Sequence, residues 1–368
     1  MAPSPSAYTL PQIQQYESHI SLPPKYRHAS NPPLNIAYLT ALHTHQIAAI
    51  PYENLSLHYS ASHTVSLDPQ ILFRKTVGDK RGRGGYCMEN SILFHHVLRA
   101  LGFGVYMAGV RIRPRVGGVP GGEYTGWVHI INIVTLPSGA KYHTDVGFGG
   151  DGATKPLPLI PGQVTQNLGS QEIRLVHEAL PHSSQQEQLH WIYQYRNAPT
   201  TPWNSFYAFP ELEFFAPDFD IMSYYTSTST SAMNFQTRTV LIVRFLLGRA
   251  KIDEPGECNE PSRFNEPGGI NGHGGFNGHG GFNGHGGSNQ QRGIDGSRGV
   301  DEKGETEIVG KIMLVNGEVK RNDGGKTRVL MVCRREDERV AALEELFGIT
   351  LTEEERAGVA GRNVELLG

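Results

Sequence analysis

An α+β fold of several packed units is the class this sequence predicts, and three observations predict it. Apolar residues recur at helical spacing through roughly the first hundred positions. From about Gly104 to Leu247 the pattern changes to short β-rich segments. After a hairpin signal at Asn316-Gly317, a charged helical pattern closes the chain. At 368 residues the chain is too long for one ordinary core, so two or three packed units are expected.

The helical spacing covers Ile13 to Ile20, Leu34 to Ile50 and Ile92 to Leu101, with Pro23-Pro24 and Pro32-Pro33 as breaks. The β-rich middle contains Val128 to Leu136, Lys141 to Val146 and Thr239 to Leu247, separated by Gly, Pro and Ser clusters. This pattern suits an antiparallel barrel or a sandwich. From about Asp253 to Lys303 the chain is rich in glycine, and Asn-Gly-His-Gly-Gly recurs at 271–275, 277–281 and 283–287 with Phe276 and Phe282 as spacers. Such a stretch buries too little apolar surface to offset its chain entropy, so a mobile insert is expected at about 253–303. Its histidines, His273, His279 and His285, are of a type that chelates metal, but expansion of a simple repeat is the plainer origin, and no metal is assigned. Beyond the insert, Ile308 to Val315 and Glu318 to Arg321 flank the Asn-Gly pair. Val329 to Cys333 then leads into a helix over Glu336 to Phe347 with Gly348 as its C-cap.

Composition narrows the function. The net charge of −3, with basic residues scattered, leaves no footprint for nucleic acid or an anionic membrane surface. The N-terminus lacks a basic segment followed by an apolar run, and no stretch is long and apolar enough for a membrane span, so a cytosolic location is expected. Cys87, Cys258 and Cys333 have no Cys-x-x-Cys spacing and read as free thiols.

Only one of these cysteines sits where chemistry would use it. Arg81 to Ser91 reads RGRGGYCMENS, and the residues after Gly84-Gly85 begin an amphipathic helix with Met88, Ile92, Leu93, Val97 and Leu101 on its apolar face. Cys87 is therefore near a helix N-terminus, where the macrodipole and unpaired N–H groups favour a thiolate and can stabilise an oxyanion. The competing reading is a buried small hydrophobe, the common state of an intracellular cysteine. Cys258 in the insert and Cys333 in an apolar strand lack such a position.

A thiolate nucleophile works with a histidine, and the histidine with a carboxylate that fixes its tautomer. Val128 to Leu136 and Lys141 to Val146 are joined by Pro137-Ser138-Gly139, and a hairpin centred near Ser138 sets Asp145 opposite Ile131. Asp145 then becomes a diagonal neighbour of His129. His143 shares the face of Asp145 in any register and competes with His129, because one residue of slip changes the pairing. His95 and His96 lie roughly 12 Å along the nucleophile's own helix, too far to serve it.

Several segments, in order, resemble the arylamine N-acetyltransferase family. Pro51-Tyr52-Glu53-Asn54-Leu55 is similar to its Pro-Phe-Glu-Asn-Leu segment, with Tyr52 in place of Phe. Arg83-Gly84-Gly85-Tyr86-Cys87 resembles its Arg-Gly-Gly-x-Cys signature. Thr125-Gly126-Trp127-Val128-His129 and Asp145-Val146-Gly147-Phe148-Gly149 resemble the segments carrying its histidine and aspartate. The likeness covers roughly 10 to 250 and resumes from about 306 to 351.

The resemblance implies an N-terminal helical bundle (1–103), a central antiparallel β-barrel (104–225) and a C-terminal α/β lid (226–368) interrupted by the insert, around a papain-like Cys-His-Asp site. Cys87 would be acylated, His129 would be its base and Asp145 would orient the base, which favours His129 over His143. Thr125, Gly126, Gly149 and Gly150 would border the coenzyme A pyrophosphate, Tyr52 and Phe148 would line the amine pocket, and Glu53 and Arg83 would form a structural pair. The implied activity is ping-pong transfer of an acetyl group from acetyl-CoA to an arylamine, in xenobiotic metabolism, with acyl-CoA as substrate and no resident cofactor. The loop Arg111 to Tyr124 departs from many relatives, and its Arg111, Arg113 and Arg115 would suit the extra carboxylate of malonyl-CoA, the donor of some fungal-type relatives. A cysteine hydrolase or thioesterase with the same triad, and a non-catalytic binding protein whose repeat insert recruits partners or metal, are the remaining alternatives.

Overall fold

Residues 6–231, 234–249 and 306–368 are described by the computed structural model. The glycine-rich insert, Cys258 and the three repeat histidines lie outside the described residues. The chain opens with helices α1 (Leu10–His19) and α2 (Ile36–Ala49), strand β1 (Tyr52–Glu53), short helices α3 (Leu55–His58) and α4 (Pro69–Phe73), and helix α5 (Cys87–Ala100). Their apolar faces pack into one core through Ile13, Tyr16, Leu39, Leu42, Phe94 and Leu98, all buried.

Strands follow: β2 (Gly104–Ile112), β3 (Arg115–Val116), β4 (Val119–Pro120), β5 (Trp127–Thr135), β6 (Lys141–Thr144) and β7 (Leu157–Pro158). Then come β8 (Thr165–Gln166), β9 (Glu172–Ala179), β10 (Leu189–Arg196) and β11 (Asn204–Phe209). Eight of these form one antiparallel sheet in the order β7-β6-β5-β2-β11-β10-β9-β8. The sheet curls until the Gly162 amide, just past β7, donates to the Leu175 carbonyl of β9 at 2.7 Å. The result is a nearly closed barrel, filled by Val110, Ile131, Ile133, Leu175, Tyr193 and Tyr207. Arg115 and Val119 lie in the small β3–β4 ribbon, within the connection from β2 to β5.

The β-rich middle also contains a helix that periodicity missed, α6 (Ala216–Thr228). Its Ser, Thr and Tyr content reads as strand or loop, but Pro217 sits in the first turn and Asp218 Oδ2 accepts the Phe215 amide at 2.8 Å. Phe219 and Met222 of α6 join the helical core, and the barrel ladder ends at Phe209.

The last elements are β12 (Leu241–Arg249), β13 (Thr306–Val315), β14 (Glu318–Asn322), β15 (Thr327–Val332), α7 (Glu336–Phe347) and α8 (Glu353–Ala357). Strands β1-β12-β13-β14-β15 make a second sheet, and Ala342, Leu343 and Phe347 of α7 pack against it. Asn316, at φ 53°, turns β13 into β14. Gly348, at φ 68°, ends α7. Cys333 is buried just beyond β15, whose own Val329 and Val332 are exposed at the sheet edge. Residues up to Gly248 and from Thr306 onward belong to one compact unit. Among the described residues no helix is long and apolar enough to cross a membrane.

Candidate active site

Cys87 occupies the first turn of α5, and the local sequence dictates why the helix starts there. Tyr86 is extended, and Glu89 Oε2 accepts the Tyr86 amide at 3.0 Å, closing the first turn. Asn90 Nδ2 donates to the carbonyls of Gly85 at 2.8 Å and Pro51 at 3.2 Å, tying the turn to the preceding segment. The Tyr86 hydroxyl meets Ser223 Oγ of α6 at 2.6 Å.

The β5–β6 register is Asn132 to Thr144, Ile133 to His143, Val134 to Tyr142 and Thr135 to Lys141. Continuing that ladder sets Asp145 opposite Ile131, so the carboxylate reaches diagonally to His129. His129 Nε2 and Asp145 Oδ2 are 2.8 Å apart, and Cys87 adds to the pull on the ring's proton, its Sγ lying 3.9 Å from the Val128 carbonyl. The carboxylate occupies Nε2 and leaves Nδ1 for a further partner. Cys87, His129 and Asp145 are all buried. The second Asp145 oxygen, Oδ1, accepts the Gly147 amide at 3.0 Å. Gly147 is glycine for a packing reason: a Cβ there would lie 2.8 Å from Cys87 Cα.

Electrostatics follow from this burial. Burial alone would depress the imidazolium of His129. The Asp145 charge and hydrogen bond, aided by Cys87, outweigh it and push His129 up to about 10. Burial would raise the Asp145 carboxyl, but His129 and the Gly147 amide bring it below its ordinary value. His143 differs. It is buried among Tyr193, Tyr207 and Phe209, its Nε2 meets the Tyr207 hydroxyl at 2.7 Å, and burial lowers it to about 4. The Tyr207 hydroxyl in turn reaches Asp145, so His143 stands behind the carboxylate instead of beside the sulfur. His43, from α2, donates Nε2–H to the Asp145 backbone carbonyl at 3.0 Å. His95 bonds Asn132, and His96 accepts the Ala7 amide. His43 and Tyr207 carried no sequence signal, because each lies far along the chain from the residue it supports.

Tyr52 and Phe148 border a small cavity together with Asp145, Gly149, Val243 and Phe245. Gln236 Nε2 donates to the Tyr52 hydroxyl, and Phe148 lies edge-on to His129 at 5.1 Å. Thr125 and Gly126 immediately precede β5, while Gly149 and Gly150 follow Asp145. In antiparallel strands those two loops leave the same end of the sheet. Gly126 faces open space, Gly149 packs on Tyr52, and Gly150 lies beside Lys311 and Met313 of β13. Lys311 was invisible to motif reading, being separated from Gly150 by the whole insert. Of the loop arginines, Arg111 stacks on Trp127, with its guanidinium carbon 3.9 Å from the ring centre, and Arg113 bonds the Gly122 carbonyl. Arg115 pairs with Asp151.

Glu53 and Arg83 form a buried ion pair, Nε to Oε1 2.9 Å, beneath the Cys87 turn. Glu53 also accepts the amides of Leu55 at 2.6 Å and Gly84 at 3.3 Å. Burial would raise Glu53, yet the charges of Arg83 and Lys75 with these hydrogen bonds bring it to about 2. Replacing Arg83 by Met strands a buried carboxylate, and a stability loss of about 3–5 kcal/mol is expected in urea unfolding. A loss under about 1 kcal/mol would show that the pair carries little of the site's scaffold.

A family model described as N-acetyltransferase matches residues 35–253, more than half of the chain, and the protein belongs to the arylamine N-acetyltransferase family. It is an acyltransferase of that family. The chain is 28% identical to N-malonyltransferase FDB2 of Fusarium pseudograminearum, over 97% of this chain and 93% of that protein. It is 34% identical to the liver arylamine N-acetyltransferase of Gallus gallus over a shorter span, 40% of this chain and 47% of the relative. Among solved structures it superposes on the arylamine N-acetyltransferase from Salmonella typhimurium with a TM-score of 0.66 and 21% identity, covering 96% of this chain and 98% of the other.

Proposed function

We propose that this protein is an acyl-CoA-dependent arylamine N-acyltransferase working by ping-pong transfer through a thioester on Cys87. The observation that carries this reading is the buried series Cys87, His129, Asp145 at a helix N-terminus. With His129 raised to about 10, the sulfur faces an imidazolium at neutral pH, the partner a thiolate nucleophile needs. Sulfur attacks the thioester carbonyl, a bond to Cys87 forms, the bond to the CoA sulfur breaks, and His129 gives its proton to the departing thiolate. The amine nitrogen then attacks the acyl-Cys87, the carbon–sulfur bond breaks, and His129 takes the amine proton, restoring the resting pair.

In this reading residues 1–103 supply the nucleophile, 104–225 the base and acid, and the described part of 226–368, outside the insert, covers them. Thr125, Gly126, Gly149 and Gly150 border the CoA pyrophosphate, and Tyr52 and Phe148 line the amine pocket. A reducing cytoplasm suits a free thiol nucleophile. The donor has two readings. Acetyl follows from the family resemblance, while the near full-length match to an N-malonyltransferase favours malonyl. Intact-protein mass spectrometry after acyl-CoA alone tests the scheme. A lasting adduct on Cys87 that an arylamine discharges is expected, and CoA release without adduct or amide would instead make the protein a hydrolase.

A further inference from the structure

Asp145 lies just past the end of its strand. The β5–β6 ladder stops at Asn132 and Thr144, so it supplies no donor to the Asp145 carbonyl. His43 supplies one from α2, its Nε2–H reaching that carbonyl at 3.0 Å. The next residue of the same helix, Thr44, donates its hydroxyl to the Thr154 carbonyl at 3.3 Å. Consecutive residues of α2 therefore brace both ends of the segment 145–154. Within that segment Gly147 packs against Cys87 and Phe148 lies edge-on to His129, so its placement governs nucleophile and base together.

Packing alone does not account for a histidine at this place. The ring is fully buried, and its Nδ1 has no partner among the described residues. A leucine would fill a similar volume without leaving a nitrogen unsatisfied. Burial lowers His43 to about 4, against the pull of the Asp145 carbonyl and charge. The ring is therefore neutral at neutral pH and serves as a fixed donor, not as a base. His43 does not border the cavity of Tyr52 and Phe148, so it has no contact with the amine in the reading above.

We propose that His43 is a positioning residue for acyl transfer, holding the Asp145 main chain so that the carboxylate stays on His129 Nε2. Its effect on rate rests on the acyl-transfer reading, whereas its effect on the state of His129 does not. Asp145 has three ties: Oδ2 to His129, Oδ1 to the Gly147 amide, and its carbonyl to His43. Without the third, the residue turns about its main chain and Oδ2 draws away from the imidazole. Burial then acts on His129 with less opposition, and the imidazolium is weakened.

The experiment compares three variants of the full chain. His43→Gln puts an amide nitrogen as many bonds from Cα as Nε2, His43→Asn puts one at the place of Nδ1, and His43→Leu has no donor. Two rates are followed over pH: amide formation from the faster of acetyl-CoA and malonyl-CoA with an arylamine, and alkylation of Cys87 by iodoacetamide. In the second, the thiolate sulfur forms a bond to carbon and iodide leaves. Titratable rings facing Asp145 are His43 from α2, Tyr52 from β1, His129 from β5, His143 from β6, Tyr193 from β10 and Tyr207 from β11. Burial holds the tyrosines above and His43 and His143 below their ordinary values, so the limb near pH 10 reports His129. In the Leu and Asn variants kcat is expected to fall about 10-fold with KM little changed, and that limb to move about one pH unit toward acid in both rates. The Gln variant should stay within about threefold of wild type, with its limb in place. Limbs unmoved in the Leu and Asn variants overturn the proposal even where activity falls, because lost folding lowers the amount of active protein without moving a limb. An equal shift in the Gln variant overturns it too, since the ring's shape and not its donor would then matter. A wild type that is alkylated at Cys87 but forms no amide from either donor would sink the acyl-transfer reading, and the alkylation limbs would still decide whether His43 governs His129 through Asp145.

Discussion

Cys87→Ala is expected to lower amide formation by at least about 10⁴-fold and to leave no acyl adduct on the protein. His129 and Asp145 remain in that variant, but neither has an electron pair placed where the sulfur stood, at the start of α5. The change removes one buried atom that faces the His129 ring, but Asp145 still pairs with that ring, so the fold should survive with a loss of about 1–2 kcal/mol. Inactivity then cannot be blamed on unfolding, provided circular dichroism and the urea midpoint stay close to wild type. Cys87→Ser keeps a donor for the imidazole but has a far weaker nucleophile, and it should be nearly as slow. If the alanine variant keeps even a tenth of the wild-type rate, the covalent route through residue 87 is wrong. Cys333 provides an internal control. Burial, with the Glu338 charge, raises its thiol, and Cys333→Ala should leave the adduct at Cys87 intact.

Local chemistry wrote much of the site into the sequence. A hairpin centred near Ser138 puts Asp145 diagonal to His129 in one of the registers the Pro137-Ser138-Gly139 loop allows, and the β5–β6 ladder adopts that register. The glycines before Tyr86 and the capping Glu89 mark where α5 begins. Spacing alone could not separate His129 from His143, because the difference is three-dimensional: one ring meets a sulfur, the other a tyrosine hydroxyl within the barrel. Long-range partners were equally hidden. Lys311 reaches Gly150 across the sheet, His43 reaches Asp145 from α2, and neither pairing leaves a periodic trace. Helix α6 was missed because tertiary packing of Phe219 and Met222, helped by the Asp218 cap, overrides the weak helical preference of its Ser, Thr and Tyr residues.

Asp145→Asn is expected to lower kcat by about 10³- to 10⁴-fold while sulfur and ring stay in place. The neutral amide can still bond the imidazole but no longer favours its charged form. Burial then dominates, and His129 falls from about 10 to below its ordinary value of 6.5. The sign for stability follows. A histidine raised on folding contributes stability that is fully present below the unfolded value near 6.5 and is lost as pH climbs through about 10. The wild-type urea midpoint should therefore decline between those limits. In the asparagine variant that contribution disappears and reverses, because a buried neutral ring must be protonated as pH falls, so its midpoint should drop on the acid side instead. Asp145 adds an opposite slope in the wild type, its share being lost only as pH falls through its depressed value. Urea titrations of both proteins across pH 5 to 10, with the rate measured alongside, separate an electrostatic role from a merely spatial one. Parallel midpoint curves with an unchanged rate would mean that the Asp145 charge does not govern the state of His129.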